Sequence, residues 1–220
     1  MDPVLVPLTQ WGHDQTVAAG RAFREYWEAN KASEKLSVYY SPHFRIVQSK
    51  DGFIQGAGSK DVELIQEAEL LKEREHGDFD GLHPRLQEEK MPQLYKKLHH
   101  GTAEEKYFTK MPNGESIADV QNRMENFIED IKEKIANQED VMIISHGGNC
   151  RLLEQLLTHS KASWFDFEDT PQYGQIIKID DPNLDAPSVE NVFFANQRPK
   201  NLKHYKAESY YPKLNAGQSF

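Results

Sequence analysis

Cysteine is nearly missing from this 220-residue sequence: Cys150 stands alone. A single cysteine excludes an internal disulfide framework and fits a reducing compartment. It lies in the apolar start of a helical pattern, so it reads as an inert buried thiol rather than a nucleophile. Long apolar runs are missing as well. No stretch approaches the roughly 20 residues of a membrane span. The opening Met1-Asp2-Pro3-Val4-Leu5-Val6-Pro7 has neither the basic region nor the long apolar region of a signal peptide. A cytoplasmic protein with no membrane partner is the expectation. Positive charge is in deficit, at a net −9 and a pI near 5.5. Phosphate-backbone binding needs clustered cations, so nucleic acid is excluded as a partner. The nine histidines, His99-His100 included, come without His-Glu-x-x-His or Cys-x-x-Cys spacing, so neither a metal site nor a cofactor is expected.

What is present suffices for one substantial core, with 38% hydrophobic and 10% aromatic residues. One domain over residues 1–220 is therefore expected. Residues 12–31 read as a helix with Val17, Phe23, Tyr26 and Trp27 on its apolar face and Thr9 as N-cap. Residues 37–40 read as a short strand, after which Ser41-Pro42 opens a helix, serine as N-cap and proline at the first helical position. Residues 52–59 read as a loop, and 62–71 fit either a strand or a helix. The polar stretch 83–110 carries Met91, Leu94, Tyr95 and Leu98 at helical spacing and reads as an exposed helical excursion. Asn113-Gly114 turns the chain, and Ser116-x-x-Asp119 resembles a capping box for a helix to about residue 137, with Met124, Phe127, Ile128 and Ile131 as its buried stripe. Later strands are expected at 173–179 and 189–195, and 198–220 reads as a C-terminal tail. Alternating strands and helices indicate an α/β fold, a three-layer α/β/α sandwich with a mostly parallel sheet.

The richest segment is Val141-Met142-Ile143-Ile144-Ser145-His146-Gly147-Gly148-Asn149. The apolar run suits a strand buried on both faces, and it delivers His146 onto a glycine pair that opens a helix. Backbone N–H groups at such a helix start, together with the macrodipole, favour an anion. The same turn could equally be a plain strand-to-helix connection that contains a histidine. Ser41-Pro42-His43-Phe44-Arg45 places an arginine in the first turn of a helix after another strand. In a parallel sheet both sites lie at carboxyl ends of strands, where ligands bind, so Arg45 and His146 can converge on one pocket. Arg45 offers a fork to phosphate oxygens, although alone it reads as well as a surface salt bridge. Glu73, in Glu73-Arg74-Glu75-His76-Gly77, can serve as a general acid if partial desolvation raises its pKa.

These pieces resemble the histidine phosphatase superfamily, which includes the phosphoglycerate mutases. The resemblance rests on Leu8-Thr9-x-x-Gly12-x-x-Gln15, Ser41-Pro42-x-x-Arg45, Glu73-Arg74-x-x-Gly77-x-x-x-Gly81-Leu82, Gly114-Glu115-Ser116 and Ser145-His146-Gly147-Gly148, five segments in the family's order. It implies a phosphoglycerate mutase-like fold and phosphomonoester hydrolysis through a phosphohistidine. Arg45 and His146 would grip the phosphoryl group of a small-molecule substrate, Glu73 would donate the proton, and Gly147 would be a backbone donor.

One part of the pattern is missing. The family's first strand ends in Arg-His-Gly, carries the nucleophilic histidine and precedes the Leu-Thr-x-x-Gly segment. Arg-His-Gly occurs nowhere in this sequence, and Leu-Thr stands at residues 8–9. Because that strand lies inside the sheet, its loss leaves neighbouring strands unpartnered. Each missing ladder bond costs about 0.5–1.5 kcal/mol, against a total stability of about 5–15 kcal/mol. An N-terminally shortened form of an active phosphatase, disabled by the missing nucleophile and prone to self-association, is therefore the leading expectation. The alternatives are a non-catalytic protein that binds phosphate ligands, mutase-type phosphoryl transfer, which the short segment between Leu82 and Gly114 disfavours, and replacement of the nucleophile by His13, His43 or His76.

Overall fold

A computed structural model of the chain describes residues 3–30, 34–159, 171–180 and 187–193. The expected tail 198–220 and the last residues of the strand expected at 189–195 lie outside them. Among these described residues, five strands and seven α-helices follow one another as α1 Gln10–Asn30, β1 Leu36–Tyr40, α2 Phe44–Ala57, β2 Val62–Glu67, α3 Pro84–Lys90, α4 Pro92–His100, α5 Ala103–Phe108, α6 Ile117–Ala136, β3 Asp140–Ile144, α7 Gly147–Leu157, β4 Ile176–Asp180 and β5 Ser188–Phe193.

The expected α/β architecture is borne out. β1 lies between β2 and β3 in a parallel three-stranded sheet, with Val38 opposite both Ile65 and Met142. Period-two alternation sends neighbouring residues to opposite faces. On one face Leu36 and Val38 pack with Trp27 of α1 and, partly buried, Met142 and Ile144. On the other, Tyr39 packs with Met124, Phe127 and Ile131 of α6 and Leu152 and Leu153 of α7. Helices therefore cover both faces, which fits the apolar makeup of β1. β4 and β5 form a separate antiparallel pair, tied to α1 by the hydrogen bond from the Tyr26 hydroxyl to Glu190.

Several local expectations hold. The Gly12 N–H donates to Thr9 Oγ1 at 3.0 Å, so Thr9 caps α1, which begins at Gln10. Ser116 and Asp119 form a complete capping box at the head of α6. Asn113 takes a positive φ of 58° in its turn. Residues 62–71 split into β2 and a short 3₁₀ turn, Glu69–Leu71. The 83–110 excursion is helical in three pieces and buries none of its helical residues.

Three expectations need correction. α2 begins at Phe44, not at Pro42, with His43 in the capping position; the Ser41 hydroxyl is engaged elsewhere, as described below. The loop expected at 52–59 is helical as far as Ala57. Its glycines serve contact between helices: a Cβ on Gly52 or Gly56 would run into Thr16 or the Val17 carbonyl of α1, and one on Gly20 into the Phe53 carbonyl of α2. Close approach of α1 and α2 outweighs the low helix propensity of glycine. Finally, the burial expected for Val141–Ile144 is incomplete: both faces pack against core clusters, but the outer edge is open among the described residues. Every residue of β3 is only partly buried, because among the described residues β3 pairs with β1 alone and β4 with β5 alone. A cavity of about 1650 Å³ lies along the outer edge of β3, lined by β3, β4 and the helices above and below. No helix among the described residues is long and apolar enough to cross a membrane.

Candidate active site

The carboxyl ends of β1 and β3 stand side by side, and the segments leaving them carry the site. After β3 the chain passes Ser145 and His146 and enters α7 at Gly147. After β1 it passes Ser41 to His43 and enters α2, so Arg45 falls in the first turn. The two residues, 101 apart in sequence, meet: Arg45 Nη2 lies 3.1 Å from His146 Nδ1. The segment after β2 adds Glu73, whose Oε2 is 3.2 Å from the same Nδ1 and 3.5 Å from Arg45 Nη2. All three, with Gly147, line one end of the cavity beside β3. The first amides of α7 have no partner within the helix and are concentrated at this point.

The His146 side chain is 2% exposed. Its Nε2 lies 2.8 Å from Ser41 Oγ, and the His43 ring packs edge-on against it at 4.8 Å. The sequence reading missed Ser41 and His43 as members of this cluster. Ser41 had an ordinary reading as a helix cap, and nothing local signals a partner 105 residues away.

Glu73 departs from expectation in its electrostatics. Burial pushes its pKa up, but the hydrogen bond and charge of His146, the Arg74 backbone N–H and the Arg45 guanidinium outweigh that and hold it at about 2. In the absence of a ligand Glu73 is thus a carboxylate with a depressed pKa, the opposite of the anticipated raised one. Desolvation raises the Cys150 thiol to about 12, which agrees with an inert thiol.

Two sets of bonds fix the segment that carries Glu73. From α7, Asn149 Nδ2 donates to the Leu71 and Lys72 carbonyls at 2.8 and 2.7 Å, and from the turn before it Ser145 Oγ donates to the Leu71 carbonyl at 2.9 Å. From α6, Arg123 grips Glu115 with Nε and Nη2 at 2.7 and 2.9 Å and donates with Nη1 to the Leu70 and Lys72 carbonyls. Glu115 in turn accepts the Glu75 N–H at 3.0 Å. Gly77, at φ 52°, lets the same segment lie against Gly114, where a Cβ would strike the Pro112 carbonyl. The glycines and acids shared by the two motif segments are thereby explained by a contact between them. No group of three or more acidic, histidine or cysteine side chains suited to a metal ion occurs among the described residues.

Comparison with known proteins gives a consistent picture. The model of the histidine phosphatase superfamily (branch 1) matches residues 5–183. Phosphoserine phosphatase 1 of Hydrogenobacter thermophilus is 31% identical over 113 residues, an alignment that covers 51% of this chain and 50% of that protein. The chain thus spans about half the length of the curated relative it matches. Among solved structures, the alpha-ribazole phosphatase of Shigella flexneri superposes with a TM-score of 0.60 at 20% identity, covering 85% of this chain and 89% of that one. YhfR of Bacillus stearothermophilus gives 0.64 at 19% identity, covering 85% and 84%. At those identities the structures establish a shared fold.

Proposed function

This chain belongs to the histidine phosphatase superfamily, and on that premise we propose that it carries the phosphoryl-gripping and proton-donating half of a phosphomonoesterase site for a phosphorylated small molecule. The observation that carries the reading is the convergence of Arg45 and Glu73 on His146 Nδ1 beside the head of α7. In this reading the Arg45 fork and His146 hold phosphoryl oxygens, the Gly147 amide donates to another, and Glu73 protonates the departing alkoxide. An arriving phosphate dianion places like charge beside the Glu73 carboxylate and raises its pKa toward the range an acid needs. The imidazole that would attack phosphorus is not assigned to any residue of the chain. Arg-His-Gly is absent from residues 1–220, and in this reading the phosphohistidine route depends on a strand that supplies it. The edges of β3 and β4 across the cavity, unpaired among the described residues, suit an added strand whose carboxyl end would reach Arg45 and His146. Donation of a strand by another copy would fill the same place, which links this reading to self-association.

The absent nucleophile also favours a second reading, a phosphate-ligand binding protein without turnover. Both readings require binding of inorganic phosphate, titrated by calorimetry, with Arg45→Ala and His146→Ala each weakening it at least about tenfold. Aryl phosphate hydrolysis then separates them. The chain as written is expected to be inactive, and a chain extended at its N-terminus by a strand ending in Arg-His-Gly is expected to turn over. A strand-restored protein that binds phosphate without turnover supports the binding reading. Turnover by the chain as written, lost in His146→Ala, would mean that His13, His43 or His76 has taken the nucleophile's place. Efficient phosphoryl transfer between positions of a bisphosphoglycerate would shift the assignment to a mutase.

A further inference from the structure

His146 has a buried hydrogen-bonding neighbour outside the phosphate-gripping set, Ser41. Ser41 is fully buried at the end of β1, where its backbone N–H donates to the Ile144 carbonyl at 3.1 Å and extends the β1–β3 ladder almost to His146. Its Oγ lies 2.8 Å from His146 Nε2 and receives the His43 N–H at 3.4 Å. The opposite ring nitrogen, Nδ1, faces Arg45 and Glu73. We propose that Ser41 is a positioning residue: it accepts the Nε2–H of His146 and thereby presents Nδ1 to the phosphoryl pocket. The functional half of this inference rests on the phosphate reading above, whereas its structural half does not.

The argument turns on what each neighbour of the ring can do. A guanidinium only donates and a carboxylate only accepts, so the two contacts of Nδ1 belong to different states of the ring: Arg45 Nη2 at 3.1 Å bonds a lone pair on Nδ1, and Glu73 Oε2 at 3.2 Å bonds an Nδ1–H; in the proposal the Arg45 contact is that of the neutral ring. A neutral ring then carries its proton on Nε2, and Ser41 is the acceptor there. When the ring gains a second proton, Nδ1–H turns to Glu73 Oε2, or to a phosphoryl oxygen in its place, and the Nε2–H bond to Ser41 is unchanged. Ser41 therefore serves the ring in both states, while Nδ1 is left to exchange partners. The hydrogen bond on one nitrogen decides what the other does. The His43 ring, packed edge-on, restrains tilting but offers no such choice between nitrogens. Helix capping, the ordinary use of serine before a helix, is performed by neither Ser41 nor the His43 side chain.

The test is the tautomer itself, read from long-range proton–nitrogen correlation spectra of the imidazole rings at alkaline pH, with His146→Ala to assign the signals. The wild-type chain is expected to show His146 as the Nε2–H tautomer alone. Ser41→Ala should give mixed tautomers and weaken inorganic phosphate binding about tenfold, and Ser41→Thr should restore both. If Ser41→Ala fails to fold, Ser41→Cys, a weak acceptor of similar size, should show the mixed tautomers instead. An Nδ1–H tautomer in the wild type, or an unchanged tautomer in a folded Ser41→Ala chain, would overturn the proposal. The expected tautomers without phosphate binding in any variant would support the orienting role and refute the phosphate reading.

Discussion

Replacing Glu73 by glutamine removes a charge while keeping shape and an acceptor oxygen, and the site geometry fixes how stability should respond to pH. In the folded chain the Glu73 pKa falls from 4.5 to about 2. At about 1.36 kcal/mol per pH unit, that drop bounds its contribution at about 3 kcal/mol. The side chain is 32% exposed, and solvent screening reduces the figure to about 1–2 kcal/mol. Because the folded pKa is the lower one, the stabilisation is fully present above the unfolded value near 4.5 and is lost as pH falls toward 2. Glu73→Gln should therefore be less stable than wild type by about 1–2 kcal/mol at neutral pH, with the gap narrowing progressively below pH ~5. Urea unfolding of both chains from pH 7 down to the lowest pH at which both fold measures this gap directly. A gap that stays constant across that range, or a glutamine variant that is the more stable at neutral pH, would refute the electrostatic account. On the proposed phosphomonoesterase reading, the same substitution removes a carboxylate from beside the phosphoryl group, so it should strengthen inorganic phosphate binding while abolishing proton donation to a leaving group.

The Arg123–Glu115 pair has both side chains only 12% exposed, and Arg123 also holds two carbonyls of the Glu73 segment. Arg123→Ala should cost about 3 kcal/mol in urea unfolding, chiefly through the charge left unpaired on Glu115, and should raise amide exchange across residues 70–76. Gly56→Ala places a methyl against the Val17 carbonyl and should destabilise by about 1–3 kcal/mol, whereas a loop glycine, as the sequence suggested, would tolerate alanine. Thermal unfolding of that variant decides between the two.

Elements with a complete local signal were legible in the sequence. Ser116 and Asp119 lie three residues apart and cap α6 with no outside help, and Met124, Phe127 and Ile131 mark its buried face by period alone. Convergence of Arg45 with His146 was legible for a different reason: strands of a parallel sheet present their carboxyl ends together, so two such residues meet whatever their separation. What failed was decided by partners distant in sequence. Gly52 and Gly56 read as breakers because the α1 residues that need their missing side chains, Thr16 and Val17, lie more than thirty residues earlier. Ser41 resembled a cap because its partner is His146. The direction of the Glu73 pKa depended on the sum of burial against three neighbouring groups, and only coordinates supply that sum. Arg123 and Asn149, which fix the Glu73 segment through backbone carbonyls, carry no sequence signature at all, since any residue offers a carbonyl.

The open edge of β3 is the point at which stability and function meet. An interior strand of a covered sheet has both edges paired, yet among the described residues β3, apolar along Val141–Ile144 and bearing His146 at its end, pairs on one side only. Among the described residues, the edges of β3 and β4 that face the cavity carry backbone groups without ladder partners. A strand inserted there could complete several ladder bonds on each side, each worth about 0.5–1.5 kcal/mol net, and would bury apolar surface of β3 and β4 besides. The sum is comparable to the whole stability of an ordinary domain. A chain extended by an Arg-His-Gly strand should thus unfold several kcal/mol later in urea than residues 1–220. It should also protect from exchange those β3 amides that point away from β1, and Arg45 and His146 should retain their contact while a second imidazole enters beside them. An extended chain with no added stability and unprotected β3 amides would mean that the cavity does not take a strand, and that the phosphate-gripping half works, if at all, without one.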